Sequence, residues 1–155
     1  MSERTATEQE LAAAIRTTAG GPGGLTAALG RLIEHFAADS GTIHLLGDDG
    51  ILHLKAASAG IPDAVLALVR TVPIGKGMAG LAVERGQPVN SCNIQTDRTG
   101  DVRPGAKGTG LQGSIVVPIL RDGIAIGAVG IANLRERTFS DEEAATLMRL
   151  AEALR

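Results

Sequence analysis

The sequence predicts an α+β domain in which helices accompany antiparallel hairpins. β-prone runs flank "GDDG" (47–50), and two apolar runs flank "RDG" (121–123); each is the pattern of a hairpin. Apolar residues from Leu25 to Phe36 recur at helical spacing, and the C-terminal stretch does the same. The 155 residues are enough for one domain with a buried core.

The predicted elements alternate between helices and β-segments along the whole chain. Gly and Pro in "GGPGG" separate the first two helices, Gly86 closes a third, and Ser140 with Glu143 predicts a capping box on the last. In order, the predictions are helices over 6–18 and 25–39, a hairpin over 41–58, a helix over 61–70, a brief strand over 71–74, a helix over 78–86, a strand over 87–94, a long irregular segment over 95–113, a hairpin over 114–132 and a helix over 139–155.

Two histidines are predicted to stand side by side in the first hairpin. If Leu46 faces Ile51 across the turn, His44 faces His53 on the adjoining strand. Such a pair fits a metal site or a pH sensor, although no further ligands are near in sequence. The alternative is a pair of surface histidines on a partly solvated strand face.

Composition argues against nucleic acid and membrane partners. The chain has two Phe, no Trp or Tyr and a net charge of −2, so it offers neither stacking platforms nor a basic face. The polar N-terminus has no signal-peptide core, and no apolar run approaches ~18 residues. A single cysteine, Cys92, excludes an internal disulfide and favours the cytoplasm.

Gly75, Gly77 and Gly80 form the spacing G-x-G-x-x-G within "PIGKGMAG". In dinucleotide-binding proteins this spacing follows a buried parallel strand, opens a full helix and precedes an acidic residue by about 20 positions. Asp97 stands at about that distance, but Pro73 interrupts the preceding strand and strand–helix alternation is missing downstream. We therefore predict a tight turn that lays the next short helix over the sheet, and no cofactor.

Four segments together are specific: "PIGKGMAGLAVERGQPV", "NIQTD", "SIVVPILRDGIAIGAVGIAN" and "FSDEEAATLMRLAEAL". In this order and spacing they resemble the GAF domain, a small-molecule sensing module of many signalling proteins. The resemblance covers residues 24–155 and leaves 1–23 as an N-terminal helix and linker. It implies a PAS-like fold with a central antiparallel sheet of about six strands. Terminal helices would cover one face, and short helices plus the long loop would close a ligand pocket on the other.

The GAF resemblance also implies homodimerisation through the terminal helices. Apolar residues of those helices would contribute to such a bundle: Leu11, Ile15, Leu147, Met148, Leu150 and Leu154. Alternatively, these residues cover the sheet of their own chain.

The architecture is similar to that of free methionine sulfoxide reductase as well. That chemistry uses a nucleophilic and a resolving cysteine, with carboxylates that hold the substrate amine. In this sequence the nucleophile's position corresponds to Met78, and the acidic positions correspond to Ser114, Gly130 and Ala132. Cys92 lies outside that constellation; it is expected to be a small buried residue on a strand, with a bilin anchor or redox sensor as alternatives.

The sequence therefore predicts a non-catalytic, dimeric sensor domain that binds a small metabolite between the sheet and the 93–113 loop, with a signalling protein as a further partner. A reductase and a ligand-free dimerisation module are the alternatives. Arg103 would be the first residue to test if the ligand is an anion, because glycines allow the loop to close over a cavity. The candidate pocket residues are Met78, Cys92, Asn93, Asp97, Arg103, Lys107, Gln112 and Ser114.

Overall fold

A six-stranded antiparallel sheet forms the centre of the computed structural model, which describes residues 3–20, 23–96 and 110–154, with side chains from residue 8 onward. The strands run in the order β3-β2-β1-β6-β5-β4, and each neighbouring pair is antiparallel. They are β1 (Ser40–Leu46), β2 (Ile51–Ala57), β3 (Thr71–Pro73), β4 (Val89–Ser91), β5 (Ser114–Arg121) and β6 (Ile124–Ala132). The predicted α+β fold is confirmed.

Three helices cover one face of the sheet and form the main core with it. They are α1 (Glu3–Ala19), α2 (Gly24–His35) and α5 (Asp141–Ala151), the last continuing into a 3₁₀ turn at Glu152–Leu154. Apolar side chains of these helices meet alternate residues of the central strands, since successive strand residues point to opposite faces. The largest fully buried members are Ile15, Leu29, Leu32, Ile43, Ile115, Val117, Ile119, Val129, Ile131, Leu147 and Leu150.

Arg137 joins the end of α2 to the start of α5. Its guanidinium donates to the Phe36 carbonyl at 2.6 Å and to the Glu143 carboxylate at 2.7 Å. The same Glu143 completes the predicted capping box, because Ser140 Oγ accepts from the Glu143 N–H and Glu143 Oε1 accepts from the Ser140 N–H, both at 3.0 Å. The terminal helices are thereby fixed to one another at one end of the sheet.

Two short helices, α3 (Asp63–Val69) and α4 (Gly77–Arg85), belong to the opposite face. Helix α4 packs on β5 and β6, where Ala82 shares a small second core with Val89, Val116 and Ala128. Gly86 ends α4 in the left-handed conformation, as the C-cap pattern predicts.

The first hairpin differs from its predicted register, and the predicted histidine pair is wrong. Leu45, not His44, is paired with His53, and His44 is paired with Leu54. The shift arises because Gly50 adopts a positive φ of 77° and the Gly47 N–H donates to the Ile51 carbonyl. The turn is therefore formed by residues 48–50 instead of the predicted 47–50. The two histidines consequently lie on opposite faces of the sheet.

The apolar stripes of the terminal helices are buried within their own chain. Ile15, Leu147 and Leu150 have no exposed surface, and Leu154 is 3% exposed. Leu11 and Met148 are partly buried against the same core. The first four of these residues are therefore unavailable as a dimer interface, contrary to that interpretation of the sequence.

Candidate functional site

A cavity of about 260 Å³ lies between the sheet and the short helices. We call it the α3–α4 cavity. Three of its walls are the inner face of α3, the first turn of α4 and the two ends of the long loop, and its floor is the sheet. The lining residues are Ser40, Gly41, Thr42, His44, Ile61, Val65, Leu68, Val69, Val72, Gly77, Met78, Ala79, Ile94, Leu111, Ser114, Val116, Gly130, Ile131 and Ala132.

The floor of the cavity is built from small residues on the central strands. Gly130 of β6 is paired with Thr42 on one side and Val116 on the other. A Cβ at Gly130 would lie 3.0 Å from Val116 Cγ2 and 3.9 Å from Thr42 Oγ1. Because this position and Ala132 carry little or no side chain, space remains between the sheet and the helices above it.

The glycine-rich turn supplies the wall at α4. Gly75 and Gly77 have positive φ angles of 86° and 64°, a conformation that glycine adopts without a steric penalty. Gly75 N–H donates to the Gly80 carbonyl at 2.9 Å, so the turn folds back on the first turn of the helix. Met78 follows directly and lines the cavity. These glycines form the predicted tight turn, which lays the next short helix over the sheet.

The base of the long loop is held together by hydrogen bonds at the cavity rim. Ile94 N–H donates to the Gln112 carbonyl at 2.8 Å, and Gln95 Nε2 donates to the Leu111 carbonyl at 2.6 Å. Ile94 is 4% exposed and lines the cavity together with Leu111. Both ends of the loop therefore present apolar side chains to the cavity.

His44 is the titratable side chain that the described residues contribute to the cavity wall, and it is 4% exposed. Its Nε2 lies 2.8 Å from the Val69 carbonyl, which can only accept, so Nε2 carries a proton. Burial lowers the pKa of His44 below its ordinary value of 6.5, and the hydrogen bond to Val69 opposes this only in part. The ring is then neutral at pH 7, with Nδ1 as an acceptor.

We expect the free energy of unfolding to fall as the pH is lowered below 6.5, the ordinary pKa of His44. There the unfolded chain takes up a proton that the folded chain excludes, so acid favours unfolding, by at most about 1.4 kcal/mol per pH unit for one group. Urea unfolding at a series of pH values measures this slope. His44→Gln should flatten it; an unchanged slope in His44→Gln would contradict the assignment.

The structure brings some of the predicted pocket residues to the cavity and places others elsewhere. Met78 and Ser114 line it. Gln112 contributes only its backbone to the rim, and the Asn93 side chain is directed to Glu136, with Nδ2 2.9 Å from its carboxylate. Three more predicted residues lie outside the described residues: Asp97, Arg103 and Lys107.

The expectation that Cys92 is a buried strand residue is wrong. Strand β4 ends at Ser91, and Cys92 is exposed and does not line the cavity. Its carbonyl accepts from the Arg137 N–H at 3.1 Å, so the chain leaves the sheet here to join the segment before α5. The positions that correspond to the reductase nucleophile and carboxylates do lie on the wall, as Met78, Ser114, Gly130 and Ala132.

Sequence reasoning missed the contribution of β1 and α3. Ser40, Thr42 and His44 line the cavity from alternate positions of β1, while Ile43 between them enters the main core. This period-two alternation is a signal that could have placed the three side chains on one face of β1, opposite Ile43. Val65 of α3 had no comparable signal, because a short apolar helix has the same sequence pattern whether it borders a cavity or packs into a core.

Neither a metal site nor a membrane-spanning helix is supported by the described ranges 3–20, 23–96 and 110–154. In these ranges no three His, Cys, Asp or Glu side chains are grouped so as to hold a metal ion. No helix there has both the length and the apolar content of a membrane span.

Comparisons with known proteins agree on the fold and differ in function. No curated protein sequence is significantly similar to the chain. The GAF domain of a phosphoenolpyruvate-protein phosphotransferase from Coxiella burnetii superposes with a TM-score of 0.76 at 23% identity, covering 95% of this chain and 89% of that one. Free methionine-R-sulfoxide reductase from Neisseria meningitidis, solved with its substrate, gives 0.75 at 21% identity, covering 99% and 89%.

The type II reductase from Thermoplasma acidophilum gives a TM-score of 0.68 at 24% identity, covering 93% of this chain and 92% of that one. At these identities the likeness shows the fold alone. The family model of the GAF domain, however, matches residues 25–155 of the sequence itself. Together with the six-stranded sheet and its two helical layers, this match shows that the chain belongs to the GAF domain family.

Proposed function

We propose that this GAF domain is a non-catalytic sensory or regulatory module that binds a small molecule in the α3–α4 cavity. The cavity itself carries the proposal: its volume of about 260 Å³ is close to the ~300 Å³ at which ligand pockets begin. Its walls are mainly apolar, with a few hydrogen-bonding groups from Thr42, His44 and Ser114. That combination is typical of sites for small molecules.

A continuous set of hydrogen bonds supports a regulatory role. At the cavity rim Ile94 N–H donates to Gln112, whose own N–H donates to the Asn133 carbonyl at 2.7 Å. Asn133 Oδ1 accepts from Arg137 at 2.9 Å, and Arg137 also holds the ends of α2 and α5. A ligand that moves the rim would thus act on the terminal helices, where a signalling protein would detect it.

The proposal includes homodimerisation and a cytoplasmic location. Because the apolar stripes of α1 and α5 are buried within the chain, a dimer through these helices would use their outer faces. Sedimentation over a range of protein concentrations tests this, and a monomer throughout would remove the dimer from the proposal. The single cysteine, which leaves no internal disulfide, supports the cytoplasm.

Ligand binding is tested by a thermal-shift screen of metabolites, with mass spectrometry of any compound that co-purifies. We expect at least one compound to raise the melting temperature of the wild type. Ala79→Leu, which adds a side chain at the cavity wall, should abolish the shift. Ala67→Leu makes the same change at an exposed position of α3 and should retain it. A shift that survives Ala79→Leu would place the ligand elsewhere, and no shift with any compound would contradict the proposal.

The likeness to methionine sulfoxide reductases makes that enzyme the second candidate. Against it, the sequence has one cysteine, and Cys92 is exposed and away from the cavity. The reaction needs a thiol at the substrate and a second one to resolve the intermediate. We expect the purified protein not to consume free methionine sulfoxide with NADPH, thioredoxin reductase and thioredoxin; turnover lost in Cys92→Ser would favour the enzyme instead.

A further inference from the structure

We propose that the ligand of the α3–α4 cavity is an uncharged, mainly apolar molecule of about the size of a monocyclic alcohol, which binds through a hydroxyl group to Thr42. This inference rests on the proposed function, since it names the ligand class of the same site. It follows from the charge, the volume and the hydrogen-bonding capacity of the cavity.

The described residues of the cavity wall offer no charge that could pair with an ion. In the described part of the chain the cavity lining contains no Asp, Glu, Lys or Arg side chain. A charged group that is moved from water into an apolar site is strongly destabilised unless it is paired there. The amine of an amino acid would therefore find no counter-ion among the described residues of the lining.

The volume of the cavity is suited to a small ligand. About 260 Å³ corresponds to roughly nine water molecules at about 30 Å³ each. This suits one six-membered ring with a substituent. A dinucleotide or a tetrapyrrole is several times larger.

The polar groups of the wall select a hydroxyl. Thr42 Oγ1 has no hydrogen-bond partner among the described residues, although the side chain lines the cavity next to Gly130. Ser40 and Ser58 share a hydrogen bond at 3.0 Å, and Ser114 Oγ already donates to the Ile131 carbonyl at 3.4 Å. His44 offers Nδ1 as an acceptor two residues along the same strand face. A hydroxyl, which both donates and accepts, matches these groups best.

The inference is tested with three probes that share one ring: cyclohexanol, cyclohexanecarboxylate and cyclohexylammonium. The sequence has three Met, and ¹³C-methyl labelling makes each visible by NMR. Met78 lines the cavity, whereas Met148 packs into the main core on the other face and serves as an internal reference. We expect cyclohexanol to shift the Met78 signal saturably and to leave Met148 unchanged, and we expect no shift of either signal with the two ions.

Thr42→Val tests the hydroxyl contact, because it replaces the hydroxyl by a methyl group of similar size. We expect the affinity for cyclohexanol to fall about fivefold to tenfold, as for the loss of one hydrogen bond. Thr17→Val, the same change on the exposed side of α1, should leave it unchanged. Equal affinity in Thr42→Val and the wild type would overturn the role of Thr42.

The remaining outcomes separate this inference from the proposed function. Binding of the carboxylate or the ammonium ion as tightly as cyclohexanol would overturn the uncharged class and leave the cavity as a ligand site; carboxylate binding is the result expected of an anion site at Arg103. If no probe binds but a metabolite from the screen does, the inference alone fails. If neither binds, both fail.

Discussion

Ile15→Ala should destabilise the protein by about 2 to 5 kcal/mol. Ile15 lies on α1, which packs on α2 and α5, and it is fully buried in the main core. The substitution removes three carbon atoms from a closed core, so the lost burial is added to the cost of the cavity left behind. Urea unfolding of wild type and variant measures the difference directly.

Ile124→Ala is the matched control, since Ile124 is 68% exposed at the start of β6. It should change the stability by no more than about 0.5 kcal/mol, as surface substitutions usually do. The Ile15→Ala effect should also be independent of protein concentration, because the contacts of Ile15 are within one chain. An effect that decreased on dilution would instead show that Ile15 acts through a dimer.

Gly80→Ala should destabilise the fold by about 3 kcal/mol and abolish ligand binding in the α3–α4 cavity. A Cβ at Gly80 would lie 2.3 Å from the Pro73 carbonyl oxygen and 3.1 Å from the Gly75 nitrogen. Both atoms are backbone and cannot move aside as a side chain can. The first turn of α4 must therefore shift away from β3 and take Met78 with it.

Gly30→Ala is the control for Gly80→Ala. Gly30 lies in α2, is exposed, and has no atom within 4 Å of the position that a Cβ would occupy. The same substitution should here stabilise the protein by up to about 1 kcal/mol, because alanine is the better helix former. Chemical denaturation gives both signs, and the thermal-shift screen reports the ligand. If Gly80→Ala behaved like Gly30→Ala, the close contact between α4 and β3 would be wrong.

Local patterns were sufficient to predict most of the elements. Three predicted features depend only on residues close together in the sequence, and all three are present in the structure. They are the capping box at Ser140, the end of α4 at Gly86 and the burial of β5. The register of the first hairpin depends on one backbone conformation, the positive φ of Gly50. A shift of one residue moves every side chain of a strand to the other face, which is why the prediction for His44 and His53 was wrong.

Sequence also predicted only part of the candidate site. Met78 and Ser114 were named from sequence because they match positions of a known family, and both line the cavity. Thr42 and His44 were not placed there, since strand alternation does not say which face adjoins a core and which adjoins a cavity. Cys92 was expected on a strand, but β4 ends one residue earlier, where the chain turns to meet Arg137.

The sequence by itself determined the fold class, the family and the turn at Gly75 and Gly77, because these depend on periodicity, on glycine and proline, and on the order of segments along the chain. Only the tertiary structure decided that the terminal helices bury their stripes within their own chain, and that β1, α3 and α4 border a cavity without charged walls in the described residues. The physical reason is that a cavity is the space between elements distant in sequence, and its size depends on packing that no local pattern records.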